Sequence, residues 1–458
     1  MRYVSTRGQA ADVGFADVLV GGLACDGGLY VPEQWPSLPP DDVLDTARTY
    51  ADVAAAVVQP FIGSDIAAAD VTSMCAAAYE SFRHDAVVPL VQIGHRQWLA
   101  ELFHGPTLAF KDVALQLVGR MFDHVLAQRS DRLTIVGATS GDTGSAAIEG
   151  VRHCDRVDIV MLYPHGGPSE VQRRQMTTVD ATNVRAVAVD GSFDDCQDLV
   201  KAMFGDAPFR ERMHLSAVNS INWARVMAQT VYYVTTAHAL RHPMTACVPT
   251  GNFGNVLAGW VAKQMGAPIA DFIVASNAND ILTRFVNDRD MSTRPVVATS
   301  SPSMDIQVSS NFERLLFEMN DRDAGRTAEH MRRFREVGRL EIAPETHERW
   351  ITPQFRAAGY TDDEVAAEMR RIHATTGLLI DPHTATGTAA ASALAGDHPV
   401  VTMATAQPAK FPDAFEAATG LRPALPEHLA DLFDRPERTD HVPHDLTAVE
   451  EYVATTFT

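Results

Sequence analysis

From residue 86 onward, short apolar runs alternate with stretches of helical spacing, and this alternation limits the fold more than any other feature of the chain. Residues 87–93 and 98–103 read as strands, 113–127 as a helix, and 133–137 as a buried strand; a further helix begins at 143. Strands follow at 157–162, 184–189, 245–248 and 272–275, with helices near 169–178 and over 193–204, 222–240 and 256–265. Runs of this kind predict α/β lobes with parallel-rich sheets covered on both faces. Ligands of such sheets sit beyond the carboxyl ends of strands, where turns enter helices, so the turns are where chemistry is expected.

Outside that region the texture differs. Residues 1–85 combine a glycine-rich opening with alanine-rich helical stretches at 43–58 and 66–81, and read as scaffold. Residues 300–375 are charged and helical, including 311–318 and 362–375. An apolar run at 377–380 precedes Asp381-Pro382-His383-Thr384 and a helix over 385–394, and a last strand spans 400–404.

A chain of 458 residues exceeds what one core organises, so two or three lobes are expected. Its net charge of -20, from 38 Lys+Arg against 58 Asp+Glu, argues against nucleic acid or an anionic membrane as partner. An anionic substrate would need local positive charge. The five cysteines are far apart and the 17 histidines lack ligand spacing, so no metal site is expected. With no signal-peptide core and no run long enough to span a bilayer, the expected location is cytoplasmic.

Four turns stand out. In Phe103-His104-Gly105-Pro106-Thr107-Leu108-Ala109-Phe110-Lys111-Asp112 a strand pattern becomes a helix pattern, placing Lys111 at a helix start. The helix dipole and apolar Leu108 and Phe110 both disfavour its ammonium form, and a neutral amine suits imine chemistry. A solvated lysine opening a surface helix fits this segment equally well. Thr250-Gly251-Asn252-Phe253-Gly254-Asn255 joins a strand to a helix with glycines that let amide N–H groups converge on a phosphate; it is neither a Walker loop nor a dinucleotide fingerprint. Thr139-Ser140-Gly141-Asp142-Thr143 could grip a carboxylate or another phosphate, or simply cap a helix. Asn219-Ser220-Ile221-Asn222-Trp223-Ala224-Arg225 could present a hydroxyl and a guanidinium to one anion, or a cap and a surface arginine. His383 reads as a hydrogen-bonded structural residue and is left out of the chemistry.

Taken together, HGPTLAFKD at 104–112, TSGDTGSAA at 139–147, NSINWAR at 219–225, PTGNFGN at 249–255 and TAQPAKFP at 405–412 closely resemble threonine synthase of the bacterial and fungal branch. STRG at 5–8 and DGGLYVPE at 26–33 resemble that family's N-terminal domain. The resemblance implies the tryptophan-synthase-β-like fold (fold type II) of pyridoxal 5'-phosphate enzymes. That means two α/β lobes with parallel-rich sheets, with an N-terminal domain at 1–85, a catalytic region at 86–458, and a smaller lobe at roughly 112–240 inserted in the larger one.

Residue by residue, Lys111 resembles the Schiff-base lysine and proton shuttle. Gly251, Asn252, Phe253, Gly254 and Asn255 resemble the loop for the cofactor phosphate, and Thr405 the hydroxyl beside the pyridine nitrogen. Thr139, Ser140, Asp142 and Thr143 lie where the family grips the substrate carboxylate. Asn219, Ser220 and Arg225 lie where it holds the substrate phosphate. The implied substrate is O-phospho-L-homoserine, and the implied assembly a monomer or homodimer. Gln407 stands where histidine is expected, which leaves that side chain's role open. Rival readings are a threonine or serine dehydratase of the same fold and a non-catalytic, ligand-binding relative.

Overall fold

The apolar runs assemble into two main sheets in the computed structural model, which describes residues 1–457. At the N-terminus β1 (Tyr3–Ser5) pairs antiparallel with β2 (Tyr30–Pro32). The helices Tyr50–Ile62 and Ala68–Tyr79 follow, the first opened by a capping box between Thr49 and Asp52. The expected helix over 43–58 is therefore broken, because Thr49 caps a new helix behind the short one at Asp41–Thr46.

The chain then forms β3 (Leu90–Gly94) and β4 (Gln97–Glu101), followed by α1 (Lys111–Arg129), β5 (Leu133–Ala138), α2 (Asp142–Val151), β6 (Val157–Pro164), α3 (Glu170–Thr177), β7 (Val184–Val189), α4 (Phe193–Gly205) and β8 (Leu215–Ser216). After these come α5 (Trp223–Leu240), β9 (Met244–Pro249), α6 (Gly254–Met265), β10 (Ile269–Ser276), β11 (Phe355–Gly359), α7 (Pro382–Ala393), β12 (Val400–Ala404) and β13 (Asp440–Val442).

The larger sheet has the order β11-β10-β9-β12-β4-β3 and is parallel except at its edge. There β3 and β4 form an antiparallel hairpin, since two residues, His95 and Arg96, cannot make a crossover. The smaller sheet, β13-β7-β6-β5-β8, is parallel throughout and recruits its edge strand β13 from near the C-terminus. The apolar run at 377–380 joins no ladder; Leu378 and Ile380 instead pack against Leu99 and Phe415.

Long α1 is buried on nearly every face, packed against α2, α5 and the helix Ala68–Tyr79. Its first residue is thereby carried to the cleft between the sheets, where β12 also ends. The N-terminal region is fastened to this frame by a buried carboxylate: Glu313 accepts from Arg7 Nη2 at 2.7 Å, Arg7 Nε at 2.9 Å and Thr6 Oγ1 at 2.7 Å. Asp26 accepts from the Ser5 hydroxyl and from the amides of Gln9, Ala10 and Gly28, so the STRG and DGG segments close one turn. Among the described residues no helix is long and apolar enough to cross a membrane.

Candidate active site

The lysine-bearing turn is tied down from both sides. Buried Asp112 accepts from the Thr107 amide at 2.8 Å and its hydroxyl at 2.6 Å. Phe110 N–H donates to the Thr405 carbonyl at 2.8 Å, and Gln407 N–H donates to the Leu108 carbonyl at 3.0 Å, which pins the turn to the end of β12. Within it Leu108 is held at φ 64°, a left-handed conformation that costs a bulky residue about 1–3 kcal/mol and must be imposed by its surroundings. Lys111 is left 7% exposed, with Nζ 5.0 Å from the centre of the Phe110 ring.

Asp142, at the first position of α2 and 3% exposed, faces it. Asp142 Oδ2 lies 3.2 Å from Lys111 Nζ and accepts from Ser303 Oγ at 3.1 Å. Oδ1 accepts from Gln172 Nε2 at 2.9 Å and lies 3.1 Å from Lys410 Nζ. Burial alone would raise the Asp142 pKa, but Lys111, Lys410 and His383 hold its carboxyl well below the usual range. Burial lowers the Lys111 pKa; Asp142 opposes this, while Lys410 and Arg225 add to it. The turn before Asp142 needs its glycine. Gly141 sits at φ 138°, and a Cβ there would stand 2.6 Å from Gln172 Cδ. Thr139 Oγ1 accepts the amides of Gly141 and Gly144 at 2.9 and 2.8 Å, so it shapes the turn. Ser140 instead faces a cleft of about 500 Å³, lined also by Ser169, Gln172, Pro302 and Phe411.

The other two turns meet each other. Phe253, at φ 62°, enters α6 with its amide donating to Thr250 Oγ1 at 3.2 Å. A Cβ on Gly254 would stand 3.1 Å from Asn311 Nδ2, whose amide donates to the Ser220 carbonyl at 3.0 Å. A Cβ on Gly251 would meet Ile306 and Met304 at 3.1 Å. The first amides of α6 have no acceptor within the helix. Asn255 accepts the hydroxyls of Tyr232 and Tyr233 at 2.6 and 2.7 Å, and its buried Nδ2 has no partner. Arg225, 3% exposed, donates from Nη1 to the Val218 carbonyl at 2.9 Å, while Nε is buried without a partner. No carboxylate among the described residues pairs with it, and burial lowers its pKa to about 10. A buried guanidinium and amide with donors to spare, beside glycines at a helix start, form a donor set suited to an anion such as a phosphate.

The sequence-predicted residues thus converge. Lys111 and Asp142 touch, the Thr405 backbone holds the lysine turn, and the 219–225 and 251–255 segments abut. Asn219 is exposed, and the cap of α5 is Asn222, not Ser220. Thr143 lies half-buried one residue past Asp142. Sequence reasoning missed Lys410, Ser303 and Gln172 and set His383 aside. His383 Nδ1–H donates to Asp381 at 2.7 Å, and its Nε2 accepts the Ser303 amide at 3.3 Å, so this histidine holds a residue that touches Lys111. Gln407 Oε1 accepts the Ala409 amide at 2.6 Å and so caps the turn that carries Lys410. Lys410 had one available signal: it lies in the turn beyond the carboxyl end of a buried strand.

Comparison with known proteins agrees with this geometry. Residues 2–79 match the family described as threonine synthase N terminus, 87–406 the pyridoxal-phosphate dependent enzyme family, and 384–453 the threonine synthase C-terminal family. The chain is 48% identical to threonine synthase of Pseudomonas aeruginosa, over 99% of this chain and 98% of that one. The crystal structure of pyridoxal phosphate-bound threonine synthase from Brucella melitensis superposes with a TM-score of 0.97 at 50% identity, covering 100% and 99% of the two chains. Yeast threonine synthase superposes with a TM-score of 0.93 at 35% identity, covering 99% and 98%. The two lobes are those of the type II pyridoxal phosphate fold, and the chain belongs to the threonine synthase family.

Proposed function

We propose that this protein converts O-phospho-L-homoserine and water into L-threonine and phosphate, with pyridoxal 5'-phosphate carried by Lys111. The observation that carries this reading is a buried ε-amine facing a carboxylate, with a buried guanidinium, unpaired with any carboxylate among the described residues, near enough to act on its charge. The unpaired donors of Arg225 and Asn255 and the close approach that Gly251 and Gly254 permit fit a phosphorylated cofactor and a phosphorylated substrate.

In this reading Gly251 to Asn255 hold the cofactor phosphate, and Thr405 sits beside the ring nitrogen. Asn219, Ser220 and Arg225 hold the substrate phosphate, while the 139–143 turn receives the substrate carboxylate through its amide and hydroxyl donors. The bound cofactor supplies an electron sink for negative charge at the substrate carbons. Lys111 Nζ moves the protons, taking them from carbon while neutral and returning them while charged. Burial favours the neutral amine and Asp142 the ammonium, and the net effect lowers the Lys111 pKa, which eases its passage between the two forms. Phosphate leaves the γ-carbon and water adds at the β-carbon. The chain's charge of -20 opposes an anionic substrate at long range, so Arg225 and the helix starts must act at contact distance.

The test is to incubate the purified protein with O-phosphohomoserine and, separately, with threonine, and to assay phosphate, threonine and keto acid. Phosphate and threonine in equal amounts from the first substrate support the reading. Keto acid from threonine without phosphate release would make the protein a dehydratase.

A further inference from the structure

Lys410 is 0% exposed, and its ammonium donates to the Thr107 carbonyl at 2.7 Å, Gln175 Oε1 at 2.9 Å and Ser145 Oγ at 3.4 Å, while standing 3.1 Å from Asp142 Oδ1 as an ion pair. A lysine so fully engaged has no donor left for a ligand. Its turn is fixed as well, by the Gln407 cap and by the bond from Gln407 N–H to Leu108, in the same loop as Lys111. The two oxygens of Asp142 are thus divided between two lysines, one at the reacting position and one locked in place.

We propose that Lys410 is a positioning residue that keeps Asp142 ion-paired and fixed when Lys111 is engaged elsewhere, so that an aspartate can stand in a turn that receives an anionic substrate. The inference rests on the reading of Lys111 as the cofactor-bearing residue. When its nitrogen is neutral, Lys111 offers Asp142 little. A lone buried carboxylate would then repel the incoming substrate carboxylate and be costly to hold out of water. With Lys410 on Oδ1 and Gln172 on the same oxygen, the pair presents no net charge to the substrate, and Oδ2, which also accepts from Ser303 Oγ, faces Lys111 Nζ. The charged groups that face Lys111 are Asp142, Lys410 and Arg225, and His383 adds to the field at Asp142.

The experiment is a pH titration of the visible absorption band of the lysine-bound cofactor in the holoenzyme, for the unmodified protein, Lys410→Met, Asp142→Asn and the double variant. Removing the Lys410 cation is expected to raise the midpoint by about one pH unit, removing the Asp142 anion to lower it, and the double variant to fall between. A Lys410→Met protein that binds cofactor with an unmoved midpoint overturns the inference. Should Lys410→Met fail to fold, the double variant decides: recovery of cooperative unfolding and of the band supports the pairing role, and continued failure overturns it. An unmodified protein with no lysine-bound band removes the proposed function and this inference with it, an outcome distinct from a band that does not move.

Discussion

Asp142 Oδ2 and Lys111 Nζ stand 3.2 Å apart, joined through helix starts 31 residues distant in sequence, and both side chains are almost wholly withdrawn from water. The pair is asymmetric, because Asp142 has a second lysine and Lys111 has no second carboxylate among the described residues. Asp142→Ala leaves two buried lysines with no counter-ion and is expected to cost about 3–5 kcal/mol of stability. Lys111→Ala leaves Asp142 paired with Lys410 and should cost less than half of that while abolishing turnover. Urea denaturation of the two variants checks the order; equal losses would contradict it.

Arg225 is buried, and no carboxylate among the described residues pairs with it. If its guanidinium meets the substrate phosphate, Arg225→Ala removes a charge-assisted contact of about 1.5–3 kcal/mol and raises KM about 10–100-fold with the cofactor still bound. Steady-state kinetics together with the absorption spectrum test this. An unchanged KM removes Arg225 from the site.

Burial pushes the Asp112 carboxyl up to about 6, against the hydrogen bonds from Thr107 that favour its ionised form. With a folded value above the ordinary one, its contribution to stability is full below about pH 4 and is lost as pH rises through about 6. Asp112→Asn keeps an acceptor for the Thr107 amide but does not titrate. The variant should therefore gain on the unmodified protein by about 2–3 kcal/mol between pH 4 and 7. Urea denaturation of both across that range is the measurement, and a constant difference would contradict the assignment.

Glu313 is the anchor of the N-terminal region, its carboxylate bonded to Arg7 and Thr6 with side chains at most 10% exposed. Glu313→Ala leaves Arg7 buried without a partner and should cost about 3–5 kcal/mol, with cleavage sites opening in residues 1–79 during limited proteolysis. Unaltered proteolysis would mean that the region is held by its apolar contacts alone.

Much of the fold was legible because buried parallel strands write themselves as apolar runs, as at β6, and because Lys111 marks the point where period two gives way to period 3.6. The 251–255 turn was legible from its glycines. What escaped lies in long-range pairing. Lys410 sits between prolines in a turn and reads locally as a surface residue, yet it reaches back 268 positions (410 − 142) to Asp142. Ser303 meets Lys111 across 192 positions, in a segment with no regular structure beyond a single short turn. His383 was read as structural, and its hydrogen bonds are those of such a residue, but local sequence could not place it beside the amine. The apolar run at 377–380 is not a strand, since apolar residues packed against a helix and a strand need no ladder of their own.

Borohydride reduction of the freshly purified holoenzyme, followed by peptide mapping, tests the central claim most directly. A single pyridoxyl group on Lys111 is the predicted result. A pyridoxyl group on Lys410 or any other lysine, or none at all, would contradict it.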